Sequence, residues 1–495
     1  MTEQAEVELR RRFVTRVGAS VAVLGLWYAA LCIAGRVASP WPLEWMEGAS
    51  AQHALRLFRG LPLYAAPRAD FIPFVYPPLS YVPMGLGLML SAGALWGARL
   101  ANVIALMLCC AALWRAGKHI SGRHAAGRMA AGLFAMGYGY TGGFIDLARV
   151  DAWFCAASLW GVERVCAGRH AHGLLLLALA CFAKQHAVLL LTAASGGSVL
   201  MHGRGAVRGV AASWLGLAVG VAVLCALTGG WIWTYCVTVP ARHGIEPRLL
   251  VSFVLVDLCV YLPVLTGLSV LFCATHRDAR ALLLGLLLLA AVGASALGRA
   301  HPGGDDNVRL PAYALLALVA AISCCTLLET RPELRWPLTA ALLVQVAMLF
   351  QPPTLYWPTR QSTEAFSALK AELEGCAGSS DFAAMDHAGL GAHGFVHTLA
   401  LSDLRMNRDL LAKQATEAVL FALRSPATLS EREHLEKSSE GRVAEPAPRA
   451  FAISSSFPAL METLAERYEL CARVPAMPMP TGYPIAETFI YRRKD

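Results

Sequence analysis

Apolar runs close to the length of a bilayer span dominate the first 350 residues of this chain, and the loops between them alternate between two chemical kinds. A hydrocarbon core about 30 Å thick takes roughly 20 apolar residues per helix, and it holds no water to satisfy a bare backbone, so such runs fold as packed helices. Candidate spans lie near 17–36, 99–117, 128–145, 151–166, 209–229, 251–273, 281–298, 311–329 and 336–351. The stretch 173–200 is interrupted by Lys184 and flanked by basic loops at both ends. Two short antiparallel segments meeting near Lys184 preserve the orientation of everything downstream, which brings the total to about eleven. With 56% hydrophobic and 15% charged residues over 495 positions, the chain is too apolar for a soluble globular protein.

One kind of loop is cationic: Arg10 to Arg12 with Arg16, then Arg115, Lys118, Arg123 and Arg128, then Arg164 with Arg169, Arg204 with Arg208, Arg277 with Arg280, and Arg331 with Arg335. Cytoplasmic loops carry this excess, so they mark the inner side and place the N-terminus in the cytoplasm. The same bias accounts for much of the net charge of +8, which therefore gives no reason to expect nucleic acid. The other kind mixes acids, bases and histidines: EWMEG at Glu44–Gly48, DLARVD at Asp146–Asp151, KQH at Lys184–His186, ARHGIE at Ala241–Glu246 and GRAHPGGDDN at Gly298–Asn307. Chemistry is expected on that outer side. Glu3, Glu6 and Glu8 precede the first arginines and no small-residue cleavage site follows the first run, which reads as a retained helix. Compact loops and Ala/Arg-rich usage point to the inner (cytoplasmic) membrane of a bacterium.

The Gly- and Pro-punctuated run Leu79–Trp96 reads as a juxtamembrane or re-entrant helix, which leaves 36–98 as one large outer loop of the kind usually kept for function. After Phe350 the composition becomes that of a soluble domain, so 1–351 is the membrane domain and 352–495 a small α/β module outside the cytoplasm. Helical patterns near Glu364–Leu373, Leu404–Leu423 and Phe457–Tyr468 alternate there with strand-like Ala450–Ser454 and Thr488–Arg492. Of 14 cysteines, those within apolar runs read as small hydrophobes, and no spacing argues for zinc. Cys376 and Cys471 can form a disulfide if the module is extracytoplasmic, a pairing the sequence leaves open. Asp386, His387, His393 and His397 match no defensible metal site.

Glu44 and Glu47 follow the first span, and three residues apart they share a face if the segment is helical. Either carboxylate suits a general base, and either suits a solvated helix start complementing the dipole. Asp146, Arg149 and Asp151 lie within one and a half turns, where Arg149 can grip a phosphate and the acids can orient it, hold an acceptor or bind a divalent ion; a self-neutralising cluster is the plain alternative. Lys184 costs roughly 3 kcal/mol within an apolar run unless it snorkels, and an anionic phosphate is its natural partner, with His186 beside it. Arg242 with His243, and Arg299 with His301, then Asp305, Asp306, Asn307 and Arg309, add cations on a side where topology disfavours them. Trp41, Trp45, Tyr76, Tyr81, Trp231, Trp233, Tyr235 and Trp357 suit either a sugar or prenyl surface or an interfacial belt.

EWMEGxxxxxALRLFRGLPLY, then FVYPPLSY, then ARLAN, resembles the first outer loop of the integral-membrane GT-C glycosyltransferases, nearest to the protein O-mannosyltransferases and lipid A aminoarabinose transferases of the family 39 type. The resemblance covers residues 10–350. It implies an all-α polytopic fold that transfers a sugar from a polyprenyl-phosphate donor to a lipid, glycan or protein acceptor on the extracytoplasmic side, by inversion. Those families carry an Asp-Glu pair after the first helix; Met46 stands at the Asp position here, which leaves the base between Glu47, the favoured residue, and Glu44, with Asp151 as a further catalytic candidate. Donor phosphate is expected on Arg149, Lys184, Arg99, Arg242 and Arg299, with Asp146, His186, His243, His301, Tyr76 and Asn307 as supporting or acceptor residues. No metal or other cofactor is obligatory, although some GT-C enzymes use a divalent cation. A transporter or lipid flippase, or a non-catalytic envelope scaffold, are the rival classes.

Overall fold

The computed structural model describes residues 3–68, 71–301, 303–377, 382–385, 394–396, 450–453, 468–476, 479–482 and 487–494. The membrane portion begins with α1 (Glu3–Ala34), then α2 (Glu47–Phe58), α3 (Tyr81–Leu90), α4 (Leu95–Ser121) and α5 (His124–Met136). It continues through α6 (Asp151–Cys166), α7 (His170–Ala180), α8 (Ala187–His202), α9 (Arg204–Leu227), the short α10 (Trp231–Trp233) and α11 (Pro247–Ser252), α12 (Pro263–Thr275) and α13 (Ala279–Arg299). It closes with α14 (Leu310–Thr330) and α15 (Arg335–Leu349), and α16 (Arg360–Ala377) opens the tail.

Among the described residues six helices are long and apolar enough to cross a membrane, or seven if Pro247–Val260 and Pro263–Thr275, bent by 95°, count as one span. The protein is a multi-pass membrane protein. The full-length spans are fewer than the segments expected, because several runs form short helices: α5 has 13 residues and α6 has 16. The 173–200 stretch divides into α7 and α8, with Lys184 in the turn between them.

Small residues decide how the centre packs. A Cβ on Gly25 would fall 1.9 Å from the Gly132 carbonyl oxygen and one on Gly132 2.4 Å from that of Val21, so α1 and α5 meet backbone to backbone. Dispersion rather than water drives such helix contacts in lipid, and side-chain-free positions allow the closest approach. Ala-rich α14 is buried along most of its length against this pair, and the Tyr313 hydroxyl at its start donates to the Leu133 carbonyl. At the periphery α9 exposes Leu215, Val219, Val223 and Leu227, a face suited to lipid.

A six-stranded sheet ends the chain, in the order β1-β3-β2-β4-β6-β5. The strands β2 (Phe382–Met385), β3 (Gly394–Val396), β4 (Ala450–Ile453), β5 (Tyr468–Val474) and β6 (Thr488–Arg493) belong to the tail, but β1 (Phe71–Ile72) comes from the segment between α2 and α3. It pairs in parallel with β3, Phe71 against Phe395 and Ile72 against Val396. The strands expected at 450–454 and 488–492 are present; the helix expected at 404–423 lies outside the described residues, as do Asp386, His387, His393 and His397 and all of the helix expected at 457–468 except Tyr468, which begins β5. Cys376 and Cys471 form a disulfide tying α16 to β5. Trp41 and Trp45 pack into the same apolar core, with Trp41 stacked on Phe366 at 5.9 Å. The outer loop and the tail are therefore built together.

Candidate functional site

The two glutamates of EWMEG differ in how many donors reach them. Glu47, the first residue of α2, accepts Arg99 Nε and an Arg99 terminal nitrogen at 2.8 Å each, the Leu43 N–H at 2.8 Å and the Ala148 N–H at 3.1 Å. Burial alone would raise its pKa, but the Arg99 guanidinium and the two backbone donors hold it below the usual carboxylate range. Arg99 spends its remaining donors on the carbonyls of Arg36, Val37, Ser39 and Trp41, the last two at 2.6 and 2.7 Å. The pair is a buried clamp joining α4 to the first outer loop. Arg99, expected at the donor phosphate, thus has its donors engaged by protein acceptors, and each oxygen of Glu47, the expected base, accepts two donors.

Glu44 is equally buried but less satisfied. Its Oε2 accepts the Met46 N–H at 3.0 Å, whereas Oε1 lies 2.9 Å from an Arg149 terminal nitrogen without a well-directed hydrogen bond. Burial pushes its pKa up to about 7, against the downward pull of Arg149. Arg149 extends the network: its Nε lies 3.6 Å from Asp151 Oδ2. Asp151 Oδ1 then accepts Lys184 Nζ at 2.7 Å and Asn307 Nδ2 at 3.1 Å. Glu44, Arg149, Asp151, Lys184 and Asn307 thus converge from four distant segments, the last two from the α7–α8 turn and the 3-10 turn Asp306–Arg309. Two acids and two bases neutralise one another, which is how charges persist in a buried site.

Aromatic and imidazole groups flank Lys184. Its Nζ is 5.8 Å from the Tyr76 ring centroid and 5.9 Å from that of Phe154. Burial, with Lys184 and His301 close by, lowers His186 to about 3. Burial, with His243 and Lys184, lowers His301 to about 4. The His243 and His301 rings are 5.3 Å apart, and His301 Nδ1 accepts the Gly303 N–H at 3.1 Å. At neutral pH His186 and His301 are uncharged imidazoles. Arg242 is exposed, in the short turn Pro240–Arg242.

Other expected site residues are placed apart from this network. Asp146 accepts Arg36 Nε at 3.0 Å and the Tyr138 hydroxyl at 2.8 Å, with a second Arg36 contact besides. Arg299 faces Asp257 at 3.4 Å and donates to the Gly304 carbonyl at 2.9 Å. Arg309 completes that second cluster, 2.9 Å from Asp257 and 2.7 Å from Asp306. Sequence reasoning missed Arg36 and Asp257. Arg36 looks like an ordinary span flank, but Asp257 is an acid alone in an apolar run, a signal that could have found it. Among the described residues no group of three or more His, Cys, Asp or Glu is arranged to hold a metal.

No family model and no curated protein matches the sequence. The fold has solved counterparts. ArnT from Cupriavidus metallidurans, bound to undecaprenyl phosphate, superposes with a TM-score of 0.51 at 12% identity, over 96% of this chain and 97% of that one. The Archaeoglobus fulgidus oligosaccharyltransferase tethered with an acceptor peptide gives 0.53 at 10% identity, over 97% of this chain and 74% of that one. Identity this low speaks for architecture alone, and that architecture, running nearly end to end, is the one these two GT-C glycosyltransferases share: the chain has the GT-C fold.

Proposed function

We propose that this protein is a membrane glycosyltransferase that moves a sugar from a polyprenyl-phosphate donor to a hydroxyl or amine acceptor on the extracytoplasmic side. The observation that carries the reading is the convergence of Glu44, Arg149, Asp151, Lys184 and Asn307 in one buried network. A phosphate carried by lipid can reach such a site between helices, and nucleotide sugars are not available beyond the membrane. ArnT, whose fold this chain shares, holds undecaprenyl phosphate. The tail disulfide supports an oxidising, extracytoplasmic location for residues 352–495.

In the proposed reaction Glu44 takes the proton from the acceptor as the acceptor atom bonds to the anomeric carbon. The bond from that carbon to the phosphate oxygen breaks, and the prenyl phosphate leaves with the electron pair, giving inversion. Lys184 commits one of its three donors to Asp151 and turns the others toward the phosphate, with Arg149 supplying a second cation. Asp151, itself bonded by Asn307, holds Lys184 in place. A base is most effective near the working pH, and Glu44 fits that requirement where Glu47 does not. No step requires a metal.

The test is turnover of a radiolabelled prenyl-phosphate sugar by purified protein. Glu44→Gln should lower the rate at least 100-fold, in line with loss of a general base. Chelation should leave the wild-type rate unchanged. Full activity of Glu44→Gln would remove the base assignment, and no turnover by the wild type with any prenyl-phosphate sugar would remove the reading itself.

A further inference from the structure

A turn of the C-terminal module covers the candidate base. Between β5 and β6, Thr481 is buried while Gly482 is exposed and has φ of +71°. The Thr481 N–H donates to the Leu43 carbonyl at 3.1 Å, beside Glu44, and its hydroxyl accepts from Arg36 at 2.8 Å. Arg36 is in turn gripped by Asp146 and by the Gly143 carbonyl. One guanidinium therefore fastens the tail to the second outer loop at the edge of the site. A Cβ on Gly482 would stand 3.2 Å from Glu44 Cγ, 3.3 Å from Asp305 Oδ2 and 3.3 Å from Phe144 Cζ. Gly482 thus lies beside buried Glu44 while being exposed itself. Positive φ and the absence of space both call for glycine there.

We propose that the Thr481–Gly482 turn is a positioning element of the site, a roof that keeps water from Glu44. This rests on the reading of Glu44 as the base, yet its consequence for Glu44 can be measured without any substrate. The charged groups facing Glu44 are Arg149 at 2.9 Å, Glu47 on α2 and Asp305 across Gly482. None of them belongs to the roof, so lifting it changes the hydration of Glu44 and leaves its charged neighbours in place. Water then stabilises the ionised form, and the proton leaves at lower pH.

The experiment is infrared difference spectroscopy of the full chain in lipid nanodiscs during pH titration, with Glu44→Gln identifying the Glu44 carboxyl band by its loss. In the wild type and in Thr481→Ser, which keeps the hydroxyl for Arg36, the band should titrate near neutrality. In Thr481→Val and in Gly482→Ala it should move down by more than about one pH unit, toward the ordinary carboxylate value. An unmoved band in a folded Gly482→Ala overturns the roof, and that variant alone decides if Thr481→Val fails to fold. The two ideas fail separately. An unmoved band with transfer lost in Glu44→Gln leaves the transferase reading standing, whereas a moved band with transfer unaffected by Glu44→Gln removes the base and keeps the roof.

Discussion

Two glutamates three residues apart, each fully buried, receive different chemistry from their neighbours. Four donors fix Glu47 as an ion, so removing its charge leaves the Arg99 guanidinium buried without its counter-ion. Glu47→Gln should cost about 3–5 kcal/mol, the usual penalty for an orphaned buried partner, read as a lower thermal midpoint of the purified protein. Near-wild-type stability would show that the clamp carries little. Glu44 is raised to about 7, so the fold favours its protonated form. Its contribution to stability is present below the ordinary carboxylate pKa and is lost as pH rises through 7. Catalysis runs the other way, because a base acts when ionised. With prenyl-phosphate sugar as donor, kcat/KM should climb with pH through an inflection near 7; a profile flat across neutrality would count against Glu44.

Elements hold these residues by unusually close contact. The α1–α5 seam has no space for a side chain at Gly25 or Gly132, and α5 leads directly into the loop that carries Asp146, Arg149 and Asp151. Gly25→Val should therefore cost about 1–3 kcal/mol through overpacking and lower activity with it, as seen in thermal unfolding and turnover measured side by side. The break between α7 and α8 follows the same logic of placement. Lys184 sits at the turn because two short helices stop there, which brings its ammonium to Asp151 instead of leaving it in lipid. Lys184→Met should leave Asp151 with Arg149 and Asn307 as partners and weaken capture of a prenyl-phosphate inhibitor more than 10-fold in equilibrium binding, as loss of a charged contact implies. Unchanged affinity would take Lys184 out of the phosphate site.

Across the whole molecule, the membrane and soluble parts are less separable than the composition shift at Phe350 indicates. The first outer loop lends β1 to the tail's sheet and Trp41 to its core, while the tail returns Thr481 and Gly482 to the site. Deleting residues 360–495 should abolish turnover rather than relax acceptor choice, since it unpairs β1 and uncovers Glu44. Selective transfer by the truncated chain would contradict this. Opening the disulfide, which spans a sequence separation of 95 residues, should destabilise the module by about 2–4 kcal/mol, measured as a lower midpoint for Cys376→Ser than for wild type.

Periodicity and composition by themselves determined the membrane setting, the polar outer loops, the break at Lys184 and the strands at 450–454 and 488–492, because each is a local consequence of what lipid or a pleated sheet accepts. Asp151, Arg149 and Lys184 were legible as a group, since charge beside an apolar run needs a partner. How many donors reach each glutamate, that Arg99 and Asp146 are engaged by Glu47 and Arg36, and that a distant glycine lies beside Glu44 were decided by tertiary structure alone. A residue's protonation and its remaining donors depend on neighbours brought from hundreds of positions away, and no local pattern records them.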